Sequence, residues 1–116
     1  MKTRILVISL LASFAPVAQA ACAVDIVGSW SVTHTSARAG AAREKEEMPS
    51  VFSFSRDGNA DVQLGFLRGQ SPYSCTGKSI TLHKSIPSVL QVVSPGRREI
   101  ALKEQGSGRI FYLRRN

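Results

Sequence analysis

The chain has 116 residues, 15 Lys and Arg against 8 Asp and Glu, a formal net charge of +7, and only two cysteines and two histidines. This length suits one small domain and excludes two. The basic excess fits an ordinary solvated surface or, as the sharper reading, an anionic partner.

Met1 to Ala20 reads as a secretory signal peptide: Lys2 and Arg4 at the start, an apolar run from Ile5 to Ala12 broken only by Ser9, and Ala18-Gln19-Ala20 as a small-x-small cleavage site. The run is far shorter than the ~20 residues a membrane span requires, so no transmembrane segment is expected after cleavage. The expected organisation is therefore a signal peptide over 1–20 and a single domain over 21–116, secreted or periplasmic. A lipid anchor on Cys22 is the minor alternative, because Gln19 stands where a lipidation site carries an aliphatic residue. In an exported chain the two cysteines, Cys22 and Cys75, are expected to form a disulfide.

The first strand runs from Val24 to Thr35. Val24, Ile26, Gly28, Trp30, Val32 and His34 share one parity, opposite a polar series. Ser36 to Pro49, with its cluster Arg43-Glu44-Lys45-Glu46-Glu47, breaks the alternation and is either a short exposed helix or a flexible loop. Val51 to Leu64 then reads as a β-hairpin about Arg56-Asp57-Gly58, with Phe52 and Phe54 on one arm and Ala60, Val62 and Leu64 on the other. Parity requires an odd loop, so three residues are expected, with Gly58 at φ > 0, Phe54 opposite Ala60 and Phe52 opposite Val62.

Gly65 to Pro72 holds the next turn. Tyr73 and Cys75 face Leu82 and Ile80 across a two-residue Gly77-Lys78 turn, again by parity. Ser88 to Val93, Arg98 to Lys103 and Ile110 to Leu113 complete the chain, separated by Ser94-Pro95-Gly96-Arg97 and Gly106-Ser107-Gly108. The last run is apolar on both faces, so pattern alone does not choose its inward side. About eight short antiparallel strands in sequence order point to an up-and-down barrel or a sandwich; the barrel is favoured because closure removes exposed edges.

The order Gly28-Ser29-Trp30, a long first loop, Phe52 to Gly58, Tyr73 to Leu82 and Tyr112 to Arg115 resembles the bacterial secreted lipocalin-like domains, which are small calycin-like β-barrels. The resemblance implies that Gly28 and Trp30 help close one end of the barrel beneath an arginine, Arg114 or Arg115. It also implies that Ser36 to Pro49 forms a lid over the other end. The ligand class it implies is a small hydrophobic or amphiphilic molecule. Trp30, Phe52, Phe54 and Tyr73 are the expected ligand-binding wall and His34 the expected contact at the mouth.

Barrels of this size are either filled by side chains or hold one small ligand, and the sequence allows both. Asp25, Asp57 and Asp61 cannot be assembled into a carboxylate pair or a Ser-His-Asp set, so no catalytic residues and no enzyme are expected. The histidines and cysteines follow no ligand spacing, so neither a metal nor another cofactor is expected. Aromatic residues interleaved with basic ones are largely missing, so nucleic acid is not an expected partner. The alternative function is a scaffold-type interaction module or inhibitor whose basic surface binds an acidic protein or an anionic envelope polymer.

Overall fold

The computed structural model describes residues 21–116, and the signal peptide expected over 1–20 lies outside the described residues. Among the described residues nine strands form: β1 (Gly28–Ser36), β2 (Glu44–Lys45), β3 (Ser50–Phe54), β4 (Asn59–Leu64), β5 (Leu67–Thr76), β6 (Ser79–Leu82), β7 (Ser88–Ser94), β8 (Glu99–Glu104) and β9 (Ile110–Arg115). All pairings between them are antiparallel. β1 pairs with β3 through Gly28 to Ser31 and with β9 through Trp30 to Ser36, so eight strands close on themselves in sequence order.

The central hairpin has the register that parity demands. Phe54 lies opposite Ala60 and Phe52 opposite Val62, and Gly58 takes φ of 94° at the third position of the loop, where a side chain would be strained. Cys75 pairs with Ile80 and Tyr73 with Leu82, as the even Gly77-Lys78 turn requires. Cys22 and Cys75 form a disulfide with Cα atoms 4.9 Å apart. Ala23 N–H donates to the Gly77 carbonyl at 2.7 Å, so the segment before β1 is tied beneath the β5–β6 turn.

Four expectations are corrected. The described residues contain no helix: within Ser36 to Pro49 the chain instead forms β2, with Lys45 opposite His34 and Glu44 opposite Thr35. β3 pairs only with the lower part of β1, and β2 fills the wall above it. The loop is therefore part of the wall, and no residue from Ser36 to Pro49 lines the cavity at the open end.

The second correction concerns His34. A register shift between Val32 and His34 reverses the parity of β1, so that Val32 and Thr35 are buried opposite Leu113 and Phe111, while His34 lies opposite Tyr112. A β-bulge inserts one residue and flips everything after it. His34 thus faces outward, where its Nδ1 lies 3.1 Å from Thr33 Oγ1.

Third, Gly65 to Pro72 is mostly strand. Leu64 pairs directly with Leu67, leaving Gly65-Phe66 as the turn, and β5 continues through Pro72 to Thr76. Fourth, Arg114 does not cap Trp30; it extends outward to Glu99 at 3.0 Å.

Candidate ligand cavity and the plug beneath it

The strand ends divide the barrel into two halves with different chemistry. At one end lie the segment before β1, the end of β9 and the turns β3–β4, β5–β6 and β7–β8. This end is plugged. Trp30 is fully buried, its Nε1–H donates to the Ile26 carbonyl at 2.9 Å, and the Arg115 guanidinium sits 4.2 Å from the centre of its ring.

Arg115 is held by backbone carbonyls on three sides: Val27 at 2.7 Å, Asp25 at 2.8 Å and Arg97 at 3.0 Å. These bonds tie the strand that ends the chain to the segment before β1 and to the β7–β8 turn. Gly28 completes the arrangement. Its φ is 132°, and a Cβ built there would stand 2.8 Å from Arg115 Nη1. Glycine is needed for the backbone angle and for the approach of the guanidinium.

Around Trp30 the aromatic side chains of neighbouring strands gather, with Phe54 opposite Gly28 and Phe52 opposite Trp30. Phe54 packs edge-on to Tyr73 with ring centres 5.1 Å apart, and Tyr73 Oη–H donates to the Ser55 carbonyl at 2.7 Å. Burial, and secondarily the negative charge of Asp57, hold the Tyr73 phenol above its ordinary value. Phe52 lies 6.3 Å from Phe54 and 5.5 Å from Phe111. These rings fill the lower and middle barrel.

The other half is open. β6 ends at Leu82, whereas β5 begins six residues beyond the point where the two strands part, so the wall splits between the first half of β5 and the start of β7. In this split lies a cavity of about 300 Å³. Phe52, Val62, Leu64, Leu82, Leu90 and Phe111 form its apolar floor and sides. Arg68, Lys84 and Glu104 bring charge to its edge. The Arg68 guanidinium is paired with Asp61 at 2.7 Å, and it holds the Asp61 carboxyl below the usual carboxylate range with help from Gln70. Four large apolar side chains around this end are exposed: Phe66 at 93%, Ile86 at 81%, Leu67 at 75% and Met48 at 38%.

The expected ligand wall therefore separates. Phe52 reaches the cavity; Trp30, Phe54 and Tyr73 belong to the plug below it; and His34 lies on the outer surface. Leu90, Phe111, Lys84 and Glu104 are cavity residues that the strand pattern did not single out. The sequence marks Ser88 to Val93 as a strand without assigning its inward face, and nothing in the pattern marks where β6 stops short of β5. Among the described residues no three His, Cys, Asp or Glu side chains gather as a metal site.

A closed eight-stranded antiparallel barrel, plugged at one end by tryptophan under arginine and open at the other, is a lipocalin-like calycin fold. A lipocalin-like protein from Bacteroides uniformis has a similar solved structure, with a TM-score of 0.62 at 15% identity over 79% of this chain and 99% of that one. At that identity the likeness concerns the fold. No protein-family model and no curated protein matches the sequence.

Proposed function

We propose that this is a non-enzymatic, exported lipocalin-like protein that takes a small hydrophobic or amphiphilic ligand into the open half of the barrel. The observation that carries the reading is the apolar cavity of about 300 Å³ beside Phe52 and Phe111, open through the split between β5 and β7. Its volume stands at the lower end of the roughly 300–1,000 Å³ of small-molecule sites. This favours a compact ligand or one short apolar tail. Lys84 and Glu104 at the edge would meet a polar head group while the floor meets the apolar part. The Cys22–Cys75 disulfide supports an extracytoplasmic setting.

The test is a thermal-shift screen of fatty acids of graded chain length, isoprenoids and other small envelope lipids, repeated on Leu90→Trp, which fills the cavity. A ligand present at a hundred times its Kd stabilises by about 2.7 kcal/mol, and Leu90→Trp should abolish the shift. The reading fails if no compound stabilises the protein, or if the shift survives in the filled variant.

A second reading is favoured by the distribution of charge. The turns at the plugged end carry Arg56, Lys78, Arg97 and Arg98, all exposed, with Arg114 close by. An acidic protein or anionic envelope polymer would bind there with marked salt dependence. Pull-downs from envelope extract at low and high salt test it, and capture indifferent to salt would contradict it.

A further inference from the structure

Among the described residues, the upper half of β5 pairs with β4 on one side and has no partner on the other. Tyr73 N–H donates to the carbonyl of Gly58, in the turn that leads into β4, while the Pro72 carbonyl accepts from His83 N–H on the β6 side. Hydrogen-bonding direction alternates along an antiparallel strand. Leu67, Gly69 and Ser71 therefore turn their backbone groups to β4, and Arg68 and Gln70 turn theirs to the side that β6 has left. Among the described residues, no hydrogen bond reaches those four N–H and C=O groups. Leu67 to Gln70 are all exposed, and a side chain built at Gly69 would meet open space.

We propose that this edge pairs with the same edge of a second copy of the chain, antiparallel, about a two-fold axis through Gly69. The free backbone groups themselves call for an extended chain as the occupant. The choice of a second copy rests on self-complementarity. With Gly69 opposite its counterpart, Arg68 of each copy faces Gln70 of the other, and each pair exchanges two hydrogen bonds, using all four free groups of each edge.

Neighbouring registers are worse. Centring on Arg68 sets like charges opposite one another. Centring on Gln70 sets Arg68 against Pro72, which has no N–H to give and whose carbonyl is already used. In the Gly69 register the outer-face rows run Asp61, Gln70, then Arg68 of the second copy, so acid and base alternate through an amide. Gln70 Nε2 already donates to Asp61 at 3.3 Å, which leaves its carbonyl oxygen free for the facing guanidinium. On the other face, each copy's exposed Leu67 comes to lie against the partner's split wall. The edge borders the split through which the cavity opens, so pairing would narrow that entrance; the test reads association and not ligand binding, so failure of the dimer and failure of the binding reading are distinguishable.

Sedimentation velocity on the mature protein across micromolar to millimolar concentration should show the weight-average mass rising toward twice that of the monomer. Two variants fix the surface. Gln70→Pro removes an edge N–H at the same parity as Pro72, which β5 already tolerates, and should hold the protein monomeric while remaining folded, its melting temperature at low micromolar concentration falling only by the loss of the exposed Gln70–Asp61 bond. Gly69→Cys adds the one free thiol, since both native cysteines are bonded to each other. Facing residues at a non-hydrogen-bonded position lie about 4.5 Å apart, within disulfide reach, so mild oxidation should give a covalent dimer for Gly69→Cys and none for a Ser74→Cys control. A chain that stays monomeric throughout, a dimer that Gln70→Pro leaves intact, or equal cross-linking at both cysteines would overturn the proposal.

Discussion

Arg115 lies over Trp30 at 4.2 Å and, with the same guanidinium, closes three backbone carbonyls that belong to two other segments of the chain. This one side chain joins the last strand, the entry to the first and the β7–β8 turn. Because the acceptors are fixed backbone atoms, the planar fork of arginine matters as much as its charge.

Arg115→Ala should therefore cost more than a surface substitution. A cation over an indole contributes roughly 0.5–2 kcal/mol, and a hydrogen bond from a charged donor roughly 1.5–3 kcal/mol. Discounted for the half-buried position, a loss of about 2–4 kcal/mol is expected. Denaturant unfolding should show it as a lower midpoint at unchanged slope. Arg115→Lys should recover less than half, because an ammonium cannot reach all three carbonyls. Gly28→Ala should lose about 1–3 kcal/mol through its backbone angle alone. A midpoint for Arg115→Ala within error of the wild type would refute this account of the plug.

The disulfide acts on the same end of the molecule. Its cysteines are 53 residues apart in sequence, and the chain-entropy model assigns such a loop about 4 kcal/mol at room temperature. The double variant Cys22→Ser, Cys75→Ser should unfold at clearly lower denaturant, by up to that amount. Hydrogen exchange should find the loss of protection earliest at Ala23 and Gly77, whose amides bond across the tether at 2.7 and 3.1 Å.

The registers of the β3–β4 and β5–β6 hairpins were legible because side-chain alternation has a period of two. A loop of given length then leaves one pairing that buries both apolar faces. The disulfide was legible for a different reason, namely that two cysteines in a chain that opens with a signal-peptide pattern have a strong chemical preference for each other. Three features were not. The bulge after Val32 needs only one extra residue and carries no glycine to announce it. Leu67 to Gln70 pairs on a single side and is solvent-exposed, so nothing selects an apolar alternation there. The cavity depends on where β6 stops relative to β5, a three-dimensional relation with no local pattern. This is why Phe52 and Phe54, equivalent by parity, divide into a cavity residue and a plug residue.

Displaced groups act at both ends of the pH range: Asp61 and Asp57 at the acid end, the latter lowered first by its hydrogen bond from Ser55, and Tyr73 at the alkaline end. Asp61 is held below its ordinary 3.8, first by its hydrogen bond to Arg68 and then by Gln70. Its contribution is fully present above that value and is lost as pH falls through the lowered folded value. Tyr73 is raised above 10.0, first by burial and then by Asp57. Its contribution is present below pH 10 and is lost as pH rises through the raised value. Denaturation midpoints across the pH range should therefore fall at both ends, with the acid limb shallower in Asp61→Asn and the alkaline limb shallower in Tyr73→Phe. Limbs unchanged by these substitutions would assign the titrations elsewhere.

The division of the barrel makes a sharper prediction for its side chains. Phe52 is 2% exposed and Leu67 is 75% exposed, yet both border the cavity. Phe52→Ala removes a packed ring between Phe54 and Phe111, so a loss of roughly 3–5 kcal/mol is expected. Leu67→Ser removes an exposed side chain and should stay within about 0.5 kcal/mol, while weakening any ligand that enters through the split. His34→Ala, on the outer face beyond the bulge, should alter neither stability by more than about 0.5 kcal/mol nor ligand affinity. Parallel denaturation and ligand titration of the three variants separate the roles: stability should fall only at Phe52, and affinity without stability only at Leu67. If His34→Ala weakens the ligand instead, the chain reversal at the bulge does not govern which face of β1 meets it.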